Sequence, residues 1–205
     1  KDEAGSNYTD AREGSGQALI TALDSLAAKH QIDHLASLPF LLRGFSAGGN
    51  FSYSFSAWNP ERVIAFANIR GGMYQRSVTG NESIPGLVLA GEFEEDSRKN
   101  TLRGIVETNR AGNGLWCFAE EPNVGHFGEM ARADNLIKLF FSKALAARVE
   151  PGIATLQPIS PASGWLGTHD THAVFPYDSF PDDKAKASWL IDQSFAKAWE
   201  AHQDK

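Results

Sequence analysis

The chain has 205 residues, 42% of them apolar, enough for one domain with a substantial core. Its formal charge of -6, with Lys and Arg dispersed rather than blocked together, gives no electrostatic basis for a nucleic-acid or anionic-membrane partner. A single cysteine, Cys117, excludes an internal disulfide, and no apolar stretch is long enough to span a bilayer.

Residues 1–12 are polar and read as an irregular lead-in. The first residue is Lys1 rather than Met, which predicts a processed or truncated chain. Asp10 followed by Glu13 resembles a capping box. Leu19, Leu23 and Leu26 then recur at helical spacing, predicting a helix over 14–30. Residues 31–37 connect it to an apolar run, Leu38–Phe45, that reads as a strand. Beyond it, Phe51, Phe55 and Trp58 share one face of a helix that Asn59-Pro60 terminates.

Val63–Ala67 is continuous and apolar, as a strand covered on both faces should be, and Arg70-Gly71-Gly72 ends it. A polar loop over 73–84 precedes a second such strand, Gly86–Ala90. Leu102, Ile105 and Val106 mark a helix stopped by Ala111-Gly112-Asn113-Gly114. Leu115–Phe118 is a fourth strand, and a helix follows over 129–148.

Strands about 25 residues apart with a helix between each pair imply an α/β fold with a parallel sheet. Residues 150–182 break that rhythm with frequent Pro, Gly and Ser and no placeable strands. A last helix is expected over 183–201, with Ile191, Phe195 and Trp199 inward. The sequence thus divides into 1–149, the α/β unit, and 150–205, an extension expected to pack on the same domain.

Gly44-Phe45-Ser46-Ala47-Gly48 sits between the first strand and its helix. A serine at the apex of such a turn stands clear of both elements, and the two glycines are expected where a Cβ would collide with backbone. The five-residue pattern alone is weak; its strand-turn-helix context gives it weight.

A serine hydroxyl needs a base, commonly His oriented by a carboxylate. In a parallel sheet these belong beyond the carboxyl ends of strands. The second buried strand runs into Glu92, Glu94, Glu95 and Asp96, and the last strand into a loop holding His126. Other titratable groups read as bland: His30 and His34 at the surface, His202 in a fraying tail, Cys117 a buried thiol. His169-Asp170-Thr171-His172 is only a weak metal motif.

The order Ser46, acid, His126, with a Gly-Phe-Ser-Ala-Gly turn and a Gly-His-Phe segment, resembles the α/β-hydrolase superfamily. It is similar in particular to serine esterases of the feruloyl-esterase, polyhydroxyalkanoate-depolymerase and dienelactone-hydrolase kind. The resemblance covers roughly residues 14–148. It implies Ser46 as nucleophile, His126 as general base and then acid, and Glu94 as the triad acid. Asp is commoner at that place, which leaves Glu95 and Asp96 as alternatives.

It further implies the Ala47 amide as an oxyanion donor, Phe45 as a substrate contact, and neither cofactor nor metal. Aromatic residues (Phe45, Trp58, Tyr74, Trp165) would suit an apolar or aromatic part of a small-molecule or polymer ester. The second oxyanion donor of such enzymes normally follows an earlier strand, and no such segment precedes Ser46. The resembled fold also has about twice as many strands, so a separate amino-terminal segment completing the sheet is expected as a partner.

Alternative functions are a non-catalytic binding domain on the same scaffold, or a peptidase or thioesterase using the same triad. Asn7, Asn50 and Asn81 each begin a glycosylation pattern, which is too short and frequent to carry weight, and the non-Met start leans slightly toward a secreted or periplasmic protein.

Overall fold

A computed structural model describes residues 8–72 and 80–204. Tyr74, Asn7 and most of the loop expected over 73–84 lie outside those residues. Four parallel strands, β1 (Phe40–Phe45), β2 (Val63–Ile69), β3 (Gly86–Gly91) and β4 (Trp116–Glu121), form one sheet in the order β1-β2-β3-β4. The helices are α1 (Ser15–His30), α2 (Ala47–Trp58), α3 (Asp96–Ala111), α4 (Ala131–Arg148) and α5 (Gln193–His202).

The uninterrupted apolar strands are explained by cover on both faces. Side chains alternate across a strand. Leu87 and Leu89 of β3 and Cys117 and Ala119 of β4 therefore join one core with Leu136, Ile137 and Phe140 of α4. Val88, Ala90, Trp116 and Phe118 point the other way, to Tyr53 and Phe55 of α2 and Leu102 and Val106 of α3. There the rings of Tyr53 and Phe66 each meet Trp116 nearly edge to face, at 5.5 and 5.1 Å.

Helix α1 contributes less than its pattern suggests. Gly16 and Ala27 are its buried residues and Leu26 is exposed. Asp10 does not cap it either. The Asp10 carboxylate caps the short turn Ala11–Glu13 by accepting from the Arg12 amide, and also receives the Ser54 hydroxyl of α2. Helix α1 starts from Gly14, at φ 101°, without a side-chain cap.

The carboxy-terminal extension holds structure that the sequence reading misses. Three short strands, β5 (Trp165–Gly167), β6 (Val174–Pro176) and β7 (Ser188–Leu190), form an antiparallel sheet ordered β6-β5-β7. The expected helix over 183–201 is replaced at its start by a turn at Lys184–Lys186 and by β7, and α5 begins only at Gln193. Trp189, Phe195 and Trp199 are fully buried in the core beside α4. At about 1.5–3 kcal/mol per large apolar side chain, that burial anchors the extension.

The extension also finishes one margin of the main sheet. The Phe118 amide donates to Ser188 Oγ (2.9 Å), and the Phe118 carbonyl receives both Ser188 Oγ (3.2 Å) and Trp199 Nε1 (2.8 Å). Farther along, the Glu120 amide donates to Gln203 Oε1 at 3.1 Å. At the opposite margin, no strand among the described residues pairs with the outer side of β1, where Leu41 is exposed.

Candidate active site

Strand β1 delivers the chain to Ser46, and parallel pairing of Gly44 with Asn68 and Phe45 with Ile69 puts the turn beside the end of β2. The Ser46 amide donates to the Ile69 carbonyl at 2.9 Å, and Ser46 takes φ 51° and ψ -117°. A non-glycine residue held at positive φ stores strain, and such strain collects at functional sites.

The two expected glycine constraints divide. A Cβ on Gly44 would run into the carbonyl of Gly48, so that glycine is required. A Cβ on Gly48 would meet nothing within 4 Å, contrary to expectation. The second steric requirement falls instead on Gly49, whose Cβ would strike the buried Asn68 amide.

The structure brings Ser46, His126 and Glu94 together. His126 Nε2 lies 3.1 Å from Ser46 Oγ, and His126 Nδ1 lies 3.0 Å from Glu94 Oε1. Arg98, one helical turn on, donates from Nε to the other Glu94 oxygen at 3.0 Å. Glu94 is buried, whereas Glu95 stands exposed just before α3 without a side-chain capping bond, and Asp96 is exposed and pairs with Lys99 at 3.5 Å. Glu92 does something else: its Oε2 accepts from the Asn123 amide at 2.8 Å. With Glu92 N to Glu121 O and Phe93 N to Val124 O, both 2.9 Å, it ties the acid loop to the histidine loop.

Arg70, at the end of β2, was read as a strand terminator and is a clamp. It is fully buried with φ 54°. Nη1 donates to the carbonyls of His126 (3.2 Å) and Gly128 (3.0 Å), and Nη2 to the Glu129 carbonyl (3.1 Å) and the Glu121 carboxylate (2.8 Å). The Arg70 carbonyl accepts from Arg98 Nη1 at 3.4 Å. One residue therefore holds the histidine loop by its side chain and reaches the acid through its main chain.

Both arginines had a signal in the sequence. Arg98 stands at helical spacing from Glu94, and Arg70 is the single charge at the carboxyl end of an apolar strand.

Ala47 opens α2, where helix geometry leaves the leading amides without intrahelical acceptors, while those of Gly49 and Asn50 turn back to the Ser46 carbonyl at 2.9 and 3.2 Å. Phe45 lies against the site, its ring 5.2 Å from that of His126. The expectations for Trp58 and Trp165 do not hold, and Tyr74 lies outside the described residues. Trp58 is at the far end of the 12-residue α2, about 18 Å along the helix, and packs where α1 passes at Gly16. Trp165 belongs to β5 and packs against the core. Phe127, which the sequence reading passed over, sets its ring 4.7 Å from His126.

The remaining histidines are structural or exposed. His202 is not in a fraying tail but buried in α5, and burial pushes its imidazole down to about 4. His169 is likewise pushed down to about 4, chiefly by burial and then by Arg103. His172 lies edge-on to Trp199 at 6.0 Å, and Asp170 pairs with Arg103 at 3.2 Å. Among the described residues no three His, Cys, Asp or Glu side chains converge as a metal site, and no helix is long and apolar enough to cross a membrane. Burial pushes the Cys117 thiol strongly up, which leaves it unreactive. Asn50 and Asn81 are buried, and this packing leaves no room for a glycan on either.

Comparison with family models, with curated protein sequences and with solved structures finds no match to this chain.

Proposed function

We propose that this chain is a serine hydrolase of carboxylic esters, built on an α/β-hydrolase-like scaffold. The observation that carries the reading is the continuous hydrogen-bonded line Ser46 Oγ, His126 Nε2, His126 Nδ1, Glu94 Oε1, with Ser46 at a strained strand-to-helix turn. A base whose two ring nitrogens lie 3.1 Å from the nucleophile and 3.0 Å from the orienting acid is the arrangement that acyl transfer through a serine requires.

On this reading Ser46 Oγ attacks the ester carbonyl carbon while its proton passes to His126 Nε2. The carbonyl electrons move to oxygen, which the Ala47 amide and the amino end of α2 stabilise. Collapse breaks the bond to the alcohol oxygen, and His126 returns the proton to that leaving group. Water then attacks the acyl carbon as His126 takes its proton. Collapse breaks the bond to Ser46 Oγ, to which His126 returns the proton as the acid leaves. Glu94 fixes the tautomer with Nδ1 protonated and balances the imidazolium. Arg98 holds the Glu94 carboxylate, and Arg70 holds the backbone that carries His126.

The same scaffold reading carries the proposal that a strand of a further polypeptide segment pairs with the outer edge of β1. Intact mass of the purified protein, with identification of anything that co-purifies, tests it. The catalytic reading is tested with a fluorophosphonate probe. The wild-type chain is expected to be labelled and Ser46→Ala not; an unlabelled wild type favours the non-catalytic alternative.

A further inference from the structure

Each member of the Ser46, His126, Glu94 set has a phenylalanine next to it in sequence: Phe45, Phe127 and Phe93. Phe45 packs partly against the core, but Phe127 is 88% exposed, more than any other large apolar side chain described, and Phe93 is 66% exposed. The Phe127 ring stands nearly perpendicular to that of His126 (4.7 Å, 87°) and 6.2 Å from that of Phe45, inclined at 62°. Phe45, Phe127 and the imidazole thus make an apolar corner whose shared wall is the ring facing Ser46. The Phe93 backbone and Cβ pass close to Gly125 of the histidine loop.

This exposed ring is not at the tip of a loose loop. Arg70 holds the carbonyls of His126 and Gly128, the residues on either side of Phe127. The backbone presenting the ring is therefore fixed, and little ordering is needed when a ligand arrives. An exposed, rigidly presented aromatic side chain beside a reactive centre suits a ligand group rather than the core. Two rings set at an angle favour a third ring, because aromatic pairs gain from edge and face geometry beyond the area they bury.

We propose that Phe127 and Phe45 form a subsite for an uncharged aromatic group within one carbon of the scissile ester, on its acyl or its alcohol side. The proposal rests on the serine-hydrolase reading and names the substrate class of that site.

Two measurements test it. The first is kcat/KM for ethyl benzoate, benzyl acetate and ethyl acetate in wild type, Phe127→Ala and Phe127→Tyr. Wild type is expected to prefer one aromatic ester over ethyl acetate. Phe127→Ala should reduce that preference about tenfold, and Phe127→Tyr should retain it. Turnover without aromatic preference, or a preference that Phe127→Ala leaves intact, overturns the subsite while the hydrolase reading stands. The second is saturation-transfer NMR of benzyl acetate with Ser46→Ala, which needs no chemistry. Binding that disappears in the Ser46→Ala, Phe127→Ala double variant supports the subsite, even if wild-type inactivity sinks the hydrolase reading. Absence of binding to Ser46→Ala overturns it.

Discussion

The side chain of Arg70 holds His126 by the main chain, Nη1 to carbonyl oxygen at 3.2 Å, while His126 offers its imidazole to Ser46. The position of the base is thus set by a residue that touches neither the nucleophile nor the acid side chain. Arg70→Lys keeps a charge but loses the planar fork that reaches three carbonyls and a carboxylate. It is expected to slow fluorophosphonate labelling about tenfold or more, with a smaller change in KM for a soluble ester. Arg70→Met should also destabilise by roughly 3–5 kcal/mol, because Glu121 is left buried and unpaired. Arg70→Met with Glu121→Met should recover stability without recovering labelling. Joint recovery of both would reduce Arg70 to a purely structural role.

Gly44 and Gly48 bracket the same serine with opposite tolerances. Gly44→Ala places a Cβ against the Gly48 carbonyl, a clash with backbone that cannot swing aside. A cost of at least about 3 kcal/mol and loss of labelling are expected. Gly48→Ala finds open space in the first turn of α2 and should raise stability by up to about 1 kcal/mol. Urea denaturation of the two variants decides, and similar losses in both would contradict the turn geometry.

Among the clustered acids, burial and contact single out Glu94. Glu94→Gln leaves an amide where His126 Nδ1 needs an acceptor. It should lower kcat by on the order of 10³–10⁴-fold. Glu95→Gln and Asp96→Asn, both at the surface, should change kcat by no more than about threefold. A strong loss in either surface variant, with Glu94→Gln near wild type, would reassign the acid.

Two buried histidines make stability depend on pH. His169 and His202 are pushed from 6.5 to about 4, so the folded chain binds fewer protons than the unfolded one between those values. Their contribution is complete above about pH 6.5 and shrinks as pH falls toward 4. Below that both states are protonated and no further change comes from them. Each is worth on the order of 3 kcal/mol across the window. Urea midpoints at pH 7, 5.5 and 4.5 should fall in that order, and His202→Leu should flatten the slope. An unchanged slope would mean the ring reaches water.

The strand-turn-helix around Ser46 and the placing of Glu94 and His126 beyond strand ends were legible because they are local patterns repeated at wide, regular spacing. The parts that escaped depend on distant partners or on very short elements. Strands of three residues, such as Ser188–Leu190, are too short for a period of two to declare itself. Lys184–Ala187 has helical composition, but Asp183 turns it by accepting from the Ala185 amide, and Asp192 is the true cap of α5 through the Phe195 amide. Gly48 looked constrained because the motif has a glycine there, whereas the clash belongs to Gly49 and Asn68, 19 residues apart in sequence. The clamp by Arg70 spans more than fifty residues and leaves no periodic trace.

Side chains of the carboxy-terminal extension occupy the amide and carbonyl of Phe118 and the amide of Glu120, the groups through which another strand would add beside β4. Among the described residues, β1 is therefore the margin of the four-stranded sheet that lacks such a cover. A second copy docking there would use the same edge of its own sheet, and each β4 margin of the joined pair would carry the cover of Ser188 and Gln203. Among the described residues, association through this sheet therefore favours closure at two molecules over extension into a fibre.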